Sequence, residues 1–551
     1  MATKMTREEI RNRIDTLDSQ LVMLFAARME LCKQLAVAKK ELGLPVEDKQ
    51  REEDKLSVLR EMVGDDKDLH HYIEELYGKI FELSKEYQTA VQISIGELLT
   101  AAAKKAEELE SQRTTGIKFG LVGGHLEHSL SPKMHHKIAE SLGIEYEYEL
   151  YEVEAWDLEK FMDETDLDAF NVTIPHKKEI MKYCSVLSDQ AKRIGAVNTV
   201  VRESDGWHGY NTDYAGFKYI VDKSGYDVNG VRATVLGAGG ASATAQTVLR
   251  DMGAKEVAQM THADLTWLEE LSQQGRDMEI AGIDAVAGAQ LVVNTTPVGM
   301  YPHAGEYPID LANIWRVDAV IDVIYNPART MLMMDAEDRD KIIMGGMGML
   351  VVQAIESLKI CLGKAGKGNL DMAAISKELD GMRDDLIESL EKEQENIVLI
   401  GMPGSGKSTV GKLVADATGK VFIDTDEEIE KREGKTIPEI FDSVGEAGFR
   451  EMERKLLAEL GQKSGQVIAT GGGCVTIPEN YRALHQNGRI IWIQRRLEDL
   501  ETKGRPISES RPLKDIYEER KEMYENFADF AIDGDIGEEM AFRNVMEAIS
   551  K

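Results

Sequence analysis

Residues 396–412 read NIVLIGMPGSGKSTVGK. A short apolar run (NIVLI) enters a G-x-x-x-x-G-K-S turn, which opens into a stretch able to form a helix. A buried strand, a glycine-rich turn and a helix in this order make an anion cradle, because the helix N-terminus offers unpaired backbone N–H groups. The spacing assigns the cradle to Gly404, Ser405, Gly406, Lys407, Ser408 and Thr409. Lys407 reaches the β- and γ-phosphate oxygens of ATP, and the Ser408 hydroxyl is placed to ligate Mg²⁺. A turn of this kind sits on a parallel α/β sheet, so the last part of the chain is read as an α/β unit over 396–551.

The α/β texture extends upstream. From Gly116, short β-rich runs (IKFGLVGG, ATVLGAGG, LVVNTTP, AVIDVIY) alternate with helical stretches to about Leu379. A charged stretch, GMRDDLIESLEKEQE (381–395), reads as a joint between the two α/β units. Before residue 100 the pattern is different. Residues 5–95 show no strand-like alternation and one proline, Pro45, which predicts helices to about Leu42, from Gln50 to Met62 and from Leu69 to Leu98. AAAKKAEELESQR (101–113) then reads as a helical spacer. The expected architecture is therefore multidomain. An all-α bundle covers 1–100. A two-lobed α/β unit covers 116–379, with a substrate lobe over about 116–213 plus a C-terminal helix and a nucleotide-binding lobe over about 225–345. A P-loop α/β unit covers 396–551.

Bulk properties agree with several cores. The chain has 551 residues, and one domain takes about 150. A net charge of −32 argues against nucleic acid and anionic membrane surfaces as partners. The four cysteines lie far apart with no C-x-x-C pair, as expected of a reducing compartment. The charged N-terminus has no apolar leader and no uncharged run approaches membrane-spanning length, so a cytoplasmic location is expected.

On a helical wheel with Leu21 at zero, Ile14, Leu17, Leu24 and Leu35 fall within about 60° and form an apolar stripe. Arg28 and Lys39 lie within about 20° of its centre, and Arg11 about 80° away at its edge. Cations on a buried stripe need anions to meet them. With the R-x-x-I-x-x-L-D opening and the P-V-x-D-x-x-R-E turn, the set Arg11, Arg28, Lys39, Asp48, Arg51, Glu52, Ser84 and Gln88 resembles the active site of the all-helical chorismate mutases. The resemblance implies that Arg28 holds one carboxylate of chorismate, with Arg11 arriving from a second subunit. It also implies that Lys39 and Gln88 flank the ether oxygen and Glu52 the ring hydroxyl. A dicarboxylate that rearranges through a polarised transition state needs such fixed cations and donors and no covalent step. The family forms intertwined dimers, so a homodimer through the helical segment is expected.

In the middle segment, TVLGAGGASATA puts Gly237, Gly239, Gly240 and Ala241 between a strand and a helix, as in a dinucleotide pyrophosphate turn. Together with EHSLSPKMHH, FNVTIPHKK, AVNTV, NTDYAGF, VVNTTPVGM and GMLVVQA, it resembles shikimate dehydrogenase over about 260 residues. Ser131-Pro132 also reads as an N-cap followed by proline at the first helical position. The resemblance makes Lys177 and Asp213 the acid–base pair and gives the substrate carboxylate to Ser129 and Ser131. It gives the hydroxyls to Thr173, Asn198, Asp213 and Gln353, with Tyr325 closing that side and Gly346 beside the cofactor. A lysine–aspartate pair suits proton transfer at the carbon that exchanges a hydride. In VAQMTHADLTW, Met260 is read as standing where NADP-using members carry an arginine, with Asp264 where a second basic residue often lies. Methionine offers a 2′-phosphate nothing, so the cofactor is left open between NADP and NAD.

In the last segment, FIDTDEEIE, GFREMERK, ATGGGC, GRPIS and YEERKEMY resemble shikimate kinase over about 155 residues. The resemblance implies that Arg450 and Arg520 clamp the acceptor carboxylate beside Gly471, Gly472 and Gly473. Asp426 holds the attacking hydroxyl and acts as its base, and Asp424 positions Mg²⁺ through water. A lid arginine neutralises the transferring phosphoryl group; Arg505 is favoured over Arg511 because its spacing from Arg520 fits a whole lid loop. The combined expectation is a trifunctional enzyme of aromatic amino acid biosynthesis acting on small carboxylates: dehydroshikimate, shikimate and chorismate. The alternative is a bifunctional chain whose helical segment is mainly a dimeriser, or whose middle segment binds shikimate without redox turnover.

Overall fold

Long amphipathic helices need a partner face, and in the first part of the chain they find it in one another. The computed structural model describes residues 7–42, 44–62, 67–110, 117–126, 129–144, 146–261, 288–314, 316–364, 371–500, 511–535 and 537–550. It divides into two compact units, Met1–Arg113 and Thr114–Lys551.

The first unit consists of helices Arg7–Glu41, Lys49–Met62 and Lys67–Glu110. Asp48 starts the second, its carboxylate accepting from the N–H of Arg51 at 3.1 Å. The third helix continues into the stretch read as a spacer, as far as Glu110, since Ala, Lys and Glu are all strong helix formers. Packing buries Cys32, Ala36, Leu59, Ser84 and Gln88. The apolar stripe of the first helix is not buried within the chain, contrary to the wheel reading: Ile14 is 50% exposed, Leu21 53% and Leu24 70%. The physical reason is geometric, because the third helix packs along one side of the first and leaves these residues open.

The second unit contains three sheets. Strands β1 (Ile117–Gly123), β2 (Tyr146–Glu152), β3 (Ala169–Val172), β4 (Val186–Leu187), β5 (Thr199–Glu203) and β6 (Gly206–Tyr210) form the first, in the order β2-β1-β3-β5-β6-β4. Strands β7 (Arg232–Leu236), β8 (Glu256–Met260), β9 (Leu291–Asn294), β10 (Ala319–Asp322) and β11 (Ile342–Met344) form the second, parallel throughout, in the order β11-β10-β9-β7-β8. The third, also parallel, runs β13-β14-β12-β15-β16, from β12 (Asn396–Ile400), β13 (Val421–Asp424), β14 (Gln466–Ala469), β15 (Gly488–Gln494) and β16 (Phe530–Asp533). In the second and third sheets the strand that precedes the glycine turn, β7 or β12, lies inside the sheet. This places each turn at the carboxyl ends of the strands, where α/β sheets bind ligands.

The charged stretch after Leu379 is no loose joint. Helix Met372–Gln394 runs through it, and Ile375, Leu379, Leu386 and Leu390 are buried in the same core as Ile117, Phe119 and Met134 of the substrate lobe. The leucines recur at helical spacing while Asp384, Asp385 and Glu388 face outward and Glu393 pairs with Lys133 and Lys137, so composition alone disguised a packed helix. Among the described residues no helix is long and apolar enough to cross a membrane.

Candidate active sites

In the first unit, Arg28 on the first helix faces Ser84 on the third. Arg28 donates to the Ser84 hydroxyl and lies 6.0 Å from the Phe81 ring centroid. Lys39 Nζ donates to the Val46 carbonyl at 2.7 Å, fixing the turn into the second helix. Glu52 pairs with Lys85 at 3.2 Å, and this hydrogen bond is the main cause that raises the Lys85 pKa. Gln88 is buried, and its Oε1 has no partner. A buried amide oxygen left unpaired on the helix that also carries Ser84 marks space for a polar ligand. Arg11 and Arg51 are exposed, outside this cluster.

In the middle segment a continuous polar chain crosses the substrate lobe. Lys177 Nζ meets Asp213 Oδ2 at 2.6 Å, with Asp213 side-chain exposure of only 4%. The other Asp213 oxygen accepts from Asn198 Nδ2 at 2.9 Å, and the same nitrogen reaches Gln353 Oε1 at 3.4 Å. Asn171 donates to Ser357 at 2.7 Å and accepts from the Tyr148 hydroxyl at 3.1 Å, and that hydroxyl also meets the side chain of Ser131. Tyr325 closes against the backbone of Leu130, beside Ser129 and Ser131. Thr173 follows β3, its N–H donating to the Val122 carbonyl at 2.9 Å. Ser131 does not act as the N-cap; Leu130 occupies that position without a side-chain bond. The Ser131 hydroxyl turns to Tyr148 instead, while Ser129 Oγ accepts from the Ser131 N–H at 3.2 Å. Asn171 belongs to the FNVTIPHKK motif and Thr212, whose hydroxyl accepts from Asn198 Nδ2 at 2.9 Å, to NTDYAGF, whereas Tyr148 and Ser357 carry no sequence signal and are brought in only by packing.

The glycine turn closes on the same place. Gly237 has φ +114°, a conformation that disfavours any side chain, and Gly239 caps helix Gly240–Asp251 with Ala241 in its first turn. A Cβ on Gly240 would stand 3.2 Å from the Lys177 side chain, and Lys178 Nζ donates to the Ala238 carbonyl at 3.0 Å. At Gly346 a Cβ would come within 2.0 Å of the Val323 carbonyl, so only glycine fits there. A dinucleotide pyrophosphate suits this turn, and the open space at Gly239 leaves it room. Met260 is not at the cofactor surface. It ends β8, is 2% exposed and packs with Leu236, Val292 and Val320. A side chain at this position points into the core of the sheet, not toward a cofactor phosphate, and Asp264 lies outside the described residues.

In the last segment, Gly404 and Gly406 take φ of +82° and +92° and lead into helix Lys407–Thr418. Lys407 Nζ donates to the carbonyls of Gly401 and Met402, each at 2.9 Å, while buried Ser405 Oγ has no partner. Thr409 follows in the helix. Ser408 donates to Asp424, whose other oxygen caps helix Thr425–Glu433 through the Asp426 N–H at 3.0 Å. Two hard oxygen groups side by side suit Mg²⁺ shared with phosphates, and the described residues contain no cluster of three or more His, Cys, Asp or Glu for a metal. Arg450 pairs with buried Glu453 at 2.6 Å, and Arg520 donates to the Gly472 carbonyl at 3.0 Å. Cβ atoms on Gly471, Gly472 or Gly473 would collide with Glu453, Pro403 and Arg450 respectively, so this loop is all glycine for space. Asp426 Oδ1 is buried without a partner, and burial, with Glu453 and Asp424 nearby, pushes its pKa up to about 6. Arg511 pairs with Glu519 at 2.7 Å on the outside, and Arg505 lies outside the described residues. Arg495, which sequence reasoning missed, lies beside the phosphate loop, 3.5 Å from the Gly404 carbonyl. Its only sequence signal is a position just after β15.

Three family models match the chain: chorismate mutase type II over residues 10–89, the shikimate dehydrogenase substrate binding domain over 121–200, and shikimate kinase over 403–550. A shikimate dehydrogenase (NADP(+)) of Clostridium beijerinckii is 38% identical over 251 residues, covering 44% of this chain and 90% of that protein. One from Crocosphaera subtropica is 34% identical over 278 residues, covering 47% and 96%. A solved chorismate mutase/shikimate 5-dehydrogenase fusion protein from Clostridium acetobutylicum is 30% identical, covers 49% of this chain and 99% of its own, and superposes with a TM-score of 0.41.

Proposed function

Because this chain belongs to the shikimate dehydrogenase family through its middle segment, with a chorismate mutase domain before it and a shikimate kinase domain after it, we propose how its own residues divide three reactions. The chain is a multifunctional enzyme of the shikimate pathway. It reduces dehydroshikimate to shikimate, phosphorylates shikimate with ATP, and rearranges chorismate to prephenate.

The observation that carries the reading is the Lys177–Asp213 pair at 2.6 Å, buried at the end of a polar chain and set against the glycine turn. Ser129 and Ser131 bind the substrate carboxylate while Thr173, Asn198 and Gln353 hold the ring hydroxyls. Lys177 and Asp213 move the proton at the reacting oxygen. Gly237, Gly239 and Gly240 would hold a nicotinamide dinucleotide, NADP as the relatives' names suggest, which would supply or take the hydride. The decisive experiment is shikimate oxidation by the full chain with NADP⁺ and NAD⁺ compared at matched concentrations. Turnover with a preference for NADP⁺ is expected; no turnover with either would sink the redox assignment.

In the kinase, Arg450 and Arg520 clamp the acceptor carboxylate against Gly471–Gly473, and Asp426 takes the proton of the attacking hydroxyl. Lys407 and the amides of the phosphate loop hold the transferring group. Mg²⁺, held by Ser408 with Asp424 behind it, would supply charge neutralisation between phosphate oxygens. A lid arginine, Arg505 or Arg511, completes the cage.

In the mutase, Arg28 receives a carboxylate, Lys39 and Gln88 the ether oxygen, and Glu52, released from Lys85, the ring hydroxyl. Asp48, Arg51 and Ser84 hold the turn and the anchoring cation. The exposed stripe of the first helix supports a homodimer in which Arg11 enters the site of the second copy. Removing residues 1–100 is therefore expected to turn a dimer into a monomer in equilibrium sedimentation, and an unchanged mass would refute this dimer. A cytoplasmic location fits these substrates.

A further inference from the structure

Within the second unit, a seam joins the dehydrogenase's nucleotide lobe to the kinase. On the dehydrogenase side, residues 323–330 leave β10 and include Tyr325 of the substrate site. The segment is anchored at its far end, where Thr330 Oγ1 donates to buried Asp322 at 2.8 Å. Two consecutive backbone N–H groups then cross to the kinase. That of Ala328 donates to Asn487 Oδ1 and that of Arg329 to the Gln486 carbonyl, both at 2.8 Å. The Arg329 guanidinium adds a bond to the His485 carbonyl at 3.1 Å. Around this strip His485 meets Glu337 at 3.0 Å, and Arg482 pairs with Asp338.

The seam is built into both sides. His485 is only 5% exposed, and Asn487 is buried. Asn487 uses its amide nitrogen inside the kinase, on the Gly461 carbonyl at 3.1 Å, while its carbonyl oxygen accepts from the dehydrogenase. Without the dehydrogenase loop, that oxygen and the last carbonyls of the short helix Glu479–His485 would need other donors. A second attachment limits the freedom of the pair. The C-terminal carbonyls of helix Met372–Gln394 and the residue beyond it converge on kinase residue Lys420, at 2.7 to 3.0 Å.

The helix Glu479–His485 also reaches the kinase site. Asn480 Nδ2 donates to the Cys474 carbonyl at 2.8 Å, immediately after Gly471–Gly473. Tyr481 packs edge-on against Phe527, at the end of the helix that carries Arg520. One short helix therefore supports both parts of the acceptor clamp at one end and docks on the dehydrogenase at the other.

We propose that residues 328–338 of the dehydrogenase and 482–487 of the kinase form an interdomain interface that holds the kinase's shikimate-binding loop in its working geometry. This rests on the reading of the kinase site given above. Arg329 and Arg482 act as positioning residues, since neither belongs to a site described above.

The test uses the full chain with Arg329→Glu, which sets a carboxylate against the His485 carbonyl, and independently Arg482→Asp, which sets it against Asp338. Each is expected to raise amide hydrogen exchange at Ala328, Arg329 and residues 471–476 by about tenfold. Each is also expected to raise the kinase KM for shikimate about fivefold, with KM for ATP and dehydrogenase kinetics unchanged. Adding Asp338→Arg to Arg482→Asp is expected to restore both readouts. Unchanged exchange across the seam, failure of the charge swap to restore, or raised exchange with an unchanged KM for shikimate would each overturn the proposal. If the unaltered chain does not phosphorylate shikimate, the kinase reading fails, while hydrogen exchange still decides whether the interface exists.

Discussion

Replacing Lys177 with alanine is expected to lower the rate of shikimate oxidation by the full chain about 10³-fold, within the range set by removal of a positioned acid–base group. The loss should fall mainly on kcat. The groups proposed to hold the substrate, Ser129, Ser131, Thr173 and Gln353, are left intact, so KM should change little. Asp213 loses its cation at 2.6 Å but keeps the Asn198 hydrogen bond at 2.9 Å. A buried carboxylate stripped of its partner is expensive, on the order of 3 kcal/mol, so the melting temperature should fall as well. Phosphorylation and chorismate rearrangement serve as internal controls, because each belongs to a different core. The measurement is a steady-state comparison of the three activities in one preparation. Retention of more than about a tenth of the dehydrogenase kcat would mean that the proton moves through another group.

Asp426→Asn is the second large effect. The side chain keeps its size, so folding and the phosphate loop should be preserved, but a neutral amide cannot take the proton of the attacking hydroxyl. A fall of about 10²- to 10³-fold in kinase kcat is expected, with KM for ATP little changed. The pH dependence has a definite sign. Burial raises the Asp426 pKa to about 6, so below that pH the carboxyl holds a proton and cannot accept one. Kinase kcat/KM in the unaltered chain should therefore rise with pH through about 6 and then level off. In the variant the residual rate should lose that limb. A rising limb of unchanged position in Asp426→Asn would assign the titration to another group, with Glu453 the neighbour to examine.

Much of this protein was readable from local chemistry. The turn at 401–409 and the turn at 237–241 each combine an apolar run, glycines and a helix start within a dozen residues. Their function depends on backbone geometry that neighbouring residues dictate. The helical texture of the first unit was legible for the same reason, since periodicity is a short-range property. Motifs such as NTDYAGF and FNVTIPHKK named Lys177 and Asp213, although only folding brings residues 36 apart in sequence to 2.6 Å.

What escaped the sequence depended on what lies beside a residue in space. Met260 reads as standing where NADP-using members carry an arginine, but β8 includes it and buries it in the core. The acidic stretch after Leu379 looked like a joint until its leucines were found in the core of the substrate lobe. Ser131 looked like a cap, and its hydroxyl goes to Tyr148. The stripe on the first helix reads as buried, but Ile14, Leu21 and Leu24 stand open, because the third helix packs on another side of it. The chemistry of each site was determined by the sequence, since residue types and short spacings select which ligand groups can be held. Boundaries, burial and the seam between dehydrogenase and kinase were decided by the tertiary structure. They arise from contacts such as Ala328 with Asn487, between residues separated by more than a hundred positions, for which no local pattern exists.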